Sequence, residues 1–151
     1  MIDRVIKIDR QVRGKSALLL FLIVSFLFIF AGIIVGCAAP VQIIEDITSE
    51  EANVLIQDNL DNPDFVIIDI RNRFDYEAEH IENAINLEYY SVDFRDKLDE
   101  LDRKGMYLIY CQTARTSGET KIIMEELKFR EVYHMLGGIK DWKEWRLPTV
   151  P

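Results

Sequence analysis

The sequence predicts a single α/β domain in which a central parallel β-sheet is covered by helices on both faces. Three observations lead there. The apolar runs in Phe65–Asp69 and Met106–Tyr110 lack the alternation of a half-exposed strand and read as strands buried on both faces. Segments with apolar residues at helical spacing lie between such runs, so strands and helices alternate along the chain. About 110 residues follow an N-terminal apolar segment, enough for one modest core and too few for two. No internal repeat is visible.

The elements can be justified in order. Residues 38–48 read as a linker and first strand, with Val41, Ile43 and Ile44 as its apolar members. Thr48 and Glu51 have the spacing of a capping box, which opens a helix running through about Gln57. Residues 58–64 are turn chemistry, rich in Asp and Asn with Pro63 near the end. The strand Phe65–Asp69 follows, then a polar stretch over 71–82 with room for a short helix, and a weak strand over 84–87. Phe94, Leu98 and Leu101 recur at helical spacing within 92–103, and the charge run 93–104 reads as the solvated face of that helix. Met106–Tyr110 ends at Cys111. A helix over 117–128 sets Ile122, Ile123, Met124 and Leu127 on a core-facing side. Glu131–Met135 is a strand, Gly137 and Gly138 a tight turn, and 139–145 the last helix.

Composition narrows the function classes. The 151 residues allow one domain and an appendage, and a 49% hydrophobic content excludes wholesale disorder. Two Cys build no disulfide framework, and with two His they assemble no zinc pattern, so neither a metal nor another cofactor is expected. The net charge of −8 hides a division. Residues 1–36 carry five basic groups against two acidic ones, whereas the remainder holds 13 basic and 24 acidic groups. A domain that acidic has no electrostatic footprint for nucleic acid or anionic lipid.

The N-terminal segment, residues 1–37, predicts a membrane connection. Residues 16–36 contain no charge, and a helix of 21 such residues can cross the hydrocarbon core of a bilayer. Arg4, Lys7, Arg10, Arg13 and Lys15 precede it, which puts the acidic domain on the outer, extracytoplasmic face of the cell membrane. The run closes Ile34-Val35-Gly36-Cys37, which resembles the lipobox of prokaryotic lipoproteins and would make Cys37 the lipidated residue. The length of the apolar region also suits an uncleaved transmembrane anchor. Both readings give the same topology.

Ligands of open parallel sheets bind outside the carboxyl ends of the strands, where Cys111 falls. Between it and the helix expected from Ser117 lie Gln112, Thr113, Ala114, Arg115 and Thr116. A loop of this length curling into a helix N-terminus points several backbone N–H groups at one spot. Those amides, with the Arg115 guanidinium, would favour a thiolate over a thiol, and the thiolate is the nucleophile. The small polar residues and the Arg after the cysteine argue against its burial.

With these landmarks in order, residues 43–150 resemble a rhodanese-like domain. Phe65-Val66-Ile67-Ile68-Asp69-Ile70-Arg71 resembles the family's apolar strand ending in Asp-x-Arg. Tyr76, His80-Ile81 and Ala84-Ile85-Asn86 resemble the stretch that follows, and Tyr110-Cys111-Gln112-Thr113 the start of its active loop. Val132-Tyr133, Leu136-Gly137-Gly138-Ile139, Trp142 and Leu147-Pro148 are similar to its C-terminal signature. The resemblance implies a sulfurtransferase in which Cys111 takes sulfane sulfur from a small anion such as thiosulfate or polysulfide and passes it to a thiol or cyanide. It implies that residues 112–117 form the active loop and that Asp69 and Arg71 support it. The loop departs from the usual Cys-x-x-Gly-x-Arg-Ser: Ala114 replaces Gly, Thr116 replaces Arg, and Arg115 supplies a cation one place early. Glu79, Glu82 and Asn83 also stand where the family has Gly, Pro and Gly.

Rival functions are weaker. A phosphatase or arsenate reductase of related fold needs an oxyanion-clamping Arg six residues after the Cys, where this chain has Ser117. A non-catalytic sulfur carrier or protein-docking module is the alternative that the altered loop and acidic surface support, with no protein partner named. Metal binding by His80 and His134 has little behind it, since His134 falls in a strand and reads as structural. Cys37 in lipid or membrane leaves Cys111 without a disulfide partner, which suits a sulfide- or thiol-rich setting.

Overall fold

The computed structural model describes residues 41–151. The N-terminal segment 1–37, with Cys37, lies outside the described residues. Among the described residues, no helix is long and apolar enough to cross a membrane. The elements run β1 (Ile43–Ile47), α1 (Ser49–Asp58), β2 (Phe65–Asp69), α2 (Arg73–Ala78), β3 (Ala84–Asn86), α3 (Phe94–Asp99), β4 (Met106–Tyr110), α4 (Arg115–Glu126), β5 (Glu131–Met135) and α5 (Gly138–Glu144).

All five strands join one parallel sheet in the order β1-β5-β4-β2-β3. Central β4 is buried on both sides, which is why its sequence is apolar without alternation. Tyr107, Ile109 and Cys111 point into one core with Ile68, Ile70, Val132, Phe94, Leu98, Met124 and Phe129. Leu108 and Tyr110 point into the other with Ala52, Ile56, Ile67, Met135, Ile139 and Trp142. Helices α3 and α4 therefore supply residues to one face, and α1 and α5 to the other.

Local chemistry sets the boundaries. Thr48 Oγ1 accepts from the Glu51 amide at 3.2 Å and Glu51 Oε2 accepts from the Thr48 amide at 2.8 Å, completing the capping box. Val41 stays outside β1 and is exposed. The expected helix over 92–103 shrinks to α3, while exposed Asp93–Lys97 and Asp99–Arg103 ion pairs line the charged run. The helix expected from Ser117 begins two residues earlier, at Arg115, because Ala114 turns the chain into it. Its apolar stripe is only partly core: Met124 is buried, Ile123 and Leu127 are half-buried, and Ile122 is on the outer side, 54% exposed.

The register of β2 against β4 sets Asp69 opposite Tyr110, so the residues that follow, Arg71 and Cys111, leave the sheet at the same end. Asp69 is fully buried, and Arg71 wraps back onto it with Nη2 2.6 Å from Oδ2 and Nε 3.0 Å from the same oxygen. Arg71 Nη2 also donates to the Glu79 carbonyl at 2.6 Å, and the Asn86 amide donates to the carbonyls of both Asp69 and Arg71 at 2.9 Å. These bonds tie β2, β3 and α2 to one corner of the sheet. Replacing Arg71 by Met leaves the Asp69 carboxylate buried without its cation, so urea unfolding should show a loss of about 3–5 kcal/mol. A loss below about 1 kcal/mol, the scale of an exposed pair, would show that the corner holds without it.

Candidate active site

Cys111 continues the alternation of β4 one residue past its end, so its side chain drops into the core rather than into solvent. It is 3% exposed, against the expectation that its polar neighbours would keep it open. The reason is layering: Gln112, Thr113 and Arg115 are exposed and Ala114 and Thr116 half-buried, while the cysteine and Ser117 lie beneath them. The result is a cavity of about 200 Å³ with Cys111 among its lining residues, walled by Ile70, Arg71, Asn72, Asp75 and Tyr90 on one side and by Gln112, Thr113, Arg115 and Thr116 on the other.

Burial alone would push the Cys111 thiol up. Hydrogen bonds from the Ser117 and Thr116 hydroxyls and from the Ser117 and Thr113 amides outweigh it and hold the thiol below its ordinary value. Ser117 Oγ lies 3.3 Å from Sγ, and the positive end of α4 starts at the same loop. Arg115 makes no hydrogen bond to the sulfur, and its charge acts on Cys111 only through space. Its exposed guanidinium turns to Tyr90, donating to Oη at 3.1 Å, and sits 3.9 Å from Glu119. It is a cation at the cavity wall.

The loop backbone carries strain at one place. Ala114 has φ 73° and ψ −4°, the left-handed region, and caps α4 without a side-chain hydrogen bond. The start of α5 braces the same loop from outside the cavity. Gly137 and Gly138 have φ values of 74° and 64°, forming the expected tight turn. The first amides of α5 then donate to the active loop, Ile139 N to the Cys111 carbonyl at 2.9 Å and Lys140 N to the Gln112 carbonyl at 3.2 Å. A Cβ on Gly138 would lie 2.4 Å from the Cys111 carbonyl oxygen, so only glycine permits this approach.

The structure thus gathers Cys111, the loop 112–117 and the Asp69–Arg71 pair at one end of the sheet. Cys37 lies outside the described residues. Tyr90, Asn72 and Asp75 join the cavity without any spacing signal in the sequence to mark them. The two histidines have separate partners: His80 stacks on Tyr76 with ring centroids 4.0 Å apart, whereas His134 is buried 3.0 Å from Ser117 Oγ. Among the described residues no group of three or more His, Cys, Asp or Glu side chains could hold a metal ion. Ser117 occupies the position of a phosphatase clamp, but its hydroxyl is turned to the sulfur.

Ala114 adopts a conformation that costs an L-residue about 1–2 kcal/mol and costs glycine nothing. Allowing for the greater freedom of glycine in the unfolded chain, Ala114→Gly should stabilise the protein by about 0.5–1 kcal/mol in urea or thermal unfolding. A destabilised variant would mean that the methyl group packs in a way that offsets the strain.

Comparison with known proteins agrees with this geometry. The family described as rhodanese-like domain matches residues 53–144. The thiosulfate sulfurtransferase GlpE of Coxiella burnetii is 34% identical over 80 residues, covering 53% of this chain and 73% of the relative. The tRNA uridine(34) hydroxylase of Yersinia pestis is 30% identical over 145 residues, covering 89% of this chain and 39% of the hydroxylase. Among solved structures, a rhodanese-related protein of Thermoplasma volcanium superposes with a TM-score of 0.59 at 23% identity, covering 70% of this chain and 97% of that one. The fold, the cysteine loop at the strand end and these matches lead to one conclusion: the chain belongs to the rhodanese-like domain family.

Proposed function

We propose that this protein is a sulfurtransferase that carries sulfane sulfur on Cys111. The observation behind this reading is a buried cysteine whose thiolate is favoured by the hydroxyls and amides of its own loop, beside a cavity of small-anion size. The Cys111 thiolate attacks the outer sulfur of a donor such as thiosulfate. A bond forms between the two sulfurs, the donor's S–S bond breaks, and sulfite leaves with the electron pair. A thiolate or cyanide acceptor then attacks the outer sulfur of the persulfide, and Cys111 departs as thiolate, which closes the cycle. Loop amides stabilise the charge on the outer sulfur. Arg115, with Tyr90, gives the cavity wall a cation and a hydroxyl for the donor's anionic end. The likeness to a thiosulfate sulfurtransferase supports the same chemistry.

The tRNA-directed activity in the Yersinia relative's name is not carried over, because this chain spans only 39% of that protein and its domain is strongly acidic. We infer instead a site of action on the outer face of a membrane. The uncharged segment 16–36 behind five basic residues, and the lipobox-like ending at Cys37, support that reading.

Intact-mass analysis of the reduced full-length chain, after incubation with thiosulfate or with polysulfide, tests the chemistry. One sulfur atom should be gained, lost again on adding dithiothreitol, and absent from Cys111→Ala. An unmodified Cys111 after both donors would overturn the proposal and leave a protein-docking module as the reading. For location, the chain should partition with membranes, and labelling by fatty acid should vanish in Cys37→Ser. Membrane binding without label would identify an uncleaved helix, and recovery wholly in the soluble fraction would overturn the membrane reading.

A further inference from the structure

We propose that His134 is a positioning residue for Cys111: through Nε2 it holds the Ser117 hydroxyl with its single proton turned to the cysteine sulfur. His134 lies on β5, in register with Asp46 on β1 and with Ile109 on β4, and is 4% exposed. Its Nδ1 is 2.8 Å from Asp46 Oδ1, which also takes Lys121 Nζ of α4 at 2.5 Å. Its Nε2 is 3.1 Å from the Ala114 carbonyl and 3.0 Å from Ser117 Oγ. Ser117 is fully buried and reaches Cys111 Sγ at 3.3 Å.

The number of protons fixes the direction of these bonds. A carbonyl and a carboxylate only accept, so the nitrogens facing the Ala114 oxygen and Asp46 Oδ1 each carry a proton and the ring is doubly protonated. The Nε2 proton is shared with Ser117 Oγ, which accepts it on a lone pair. The serine hydroxyl has one proton of its own, and with Nε2 already donating, that proton is free for the sulfur. A bare Nε2 would do the reverse: it would compete with the thiolate for the Ser117 proton and set its lone pair against the Ala114 carbonyl. The charged and titratable groups facing the ring are Asp46 from β1, Lys121 from α4 and, through Ser117, Cys111. Lys121 and His134 hold the Asp46 carboxyl below its usual range, so it stays ionised and keeps the ring in place. The same ring braces the Ala114 carbonyl, so one side chain supports both the strained turn and the donor to sulfur.

The inference rests on the reading of Cys111 as the nucleophile. Alkylation reports the thiolate whether or not sulfur is transferred, so the two can fail separately. The pH profile of iodoacetamide alkylation of Cys111 should have its midpoint below that of a free thiol in the wild-type chain. In His134→Leu the midpoint should rise and the rate at neutral pH fall by about tenfold, the scale of one hydrogen bond to a charged sulfur. His134→Gln, which keeps an N–H donor, should lose less. In a Ser117→Ala background, His134→Leu should add no further shift. An unchanged midpoint in His134→Leu, or a full additional shift on top of Ser117→Ala, would overturn the proposal. Nitrogen-15 NMR of histidine-labelled wild-type protein, assigned with His80→Gln, reads the ring without altering His134. Nε2 should appear as a protonated nitrogen that moves in Ser117→Ala, and a bare Nε2 would overturn the proposal even if the Leu variant failed to fold.

Discussion

A negative charge on a buried sulfur must be met by donors, and the architecture around Cys111 follows from that constraint. The alternation of β4 sends the side chain into the core, where desolvation opposes the thiolate. Hydroxyls and amides reverse the balance, and they have to arrive from a loop short enough to curl over the sulfur at once. The left-handed turn at Ala114 provides the curl and starts α4 beside the cysteine. A relaxed loop would leave its amides in water and the thiol to the upward push of burial.

The sheet determines which side chains can share in this. Parallel strands all end on one side, so β2, β4 and β5 contribute the Asp69–Arg71 corner, Cys111 and, just short of its end, His134. The two edges differ. Short β3 is pinned at the Asp69–Arg71 corner through Asn86, whereas β1 contributes Asp46, whose exposed carboxylate anchors a buried ring. Strand order, rather than proximity along the chain, brings Asp46 and Ser117 to the same histidine.

Features written in local pattern were legible in the sequence. Buried strands announced themselves by unbroken apolar runs, the capping box by its spacing, and the position of Cys111 by the strand it follows. Ala114 was legible conditionally: its substitution for Gly signals a cost wherever φ is positive, and φ is 73°. Long-range geometry was not legible. That Arg115 would turn to Tyr90 depends on a contact 25 residues away, and His134 meets Asp46 across 88 residues of chain. The partial exposure of α4's apolar side was also hidden, since spacing gives a helix its face but not how far its neighbours cover it.

Gly138 carries a consequence for reading sequence variation. It has no side chain, is not among the residues lining the cavity and belongs to a different helix from the cysteine loop, yet its backbone lies against the Cys111 carbonyl with no room for a methyl group. On the sulfurtransferase reading, a saturation-mutagenesis screen scored by activity would find this position as intolerant as Cys111, and it would pass for a catalytic residue. On that reading the two differ in cause: Cys111 would resist exchange because of its chemistry, and Gly138 because of its shape. An alignment column of invariant glycine here would record the thickness of a peptide backbone.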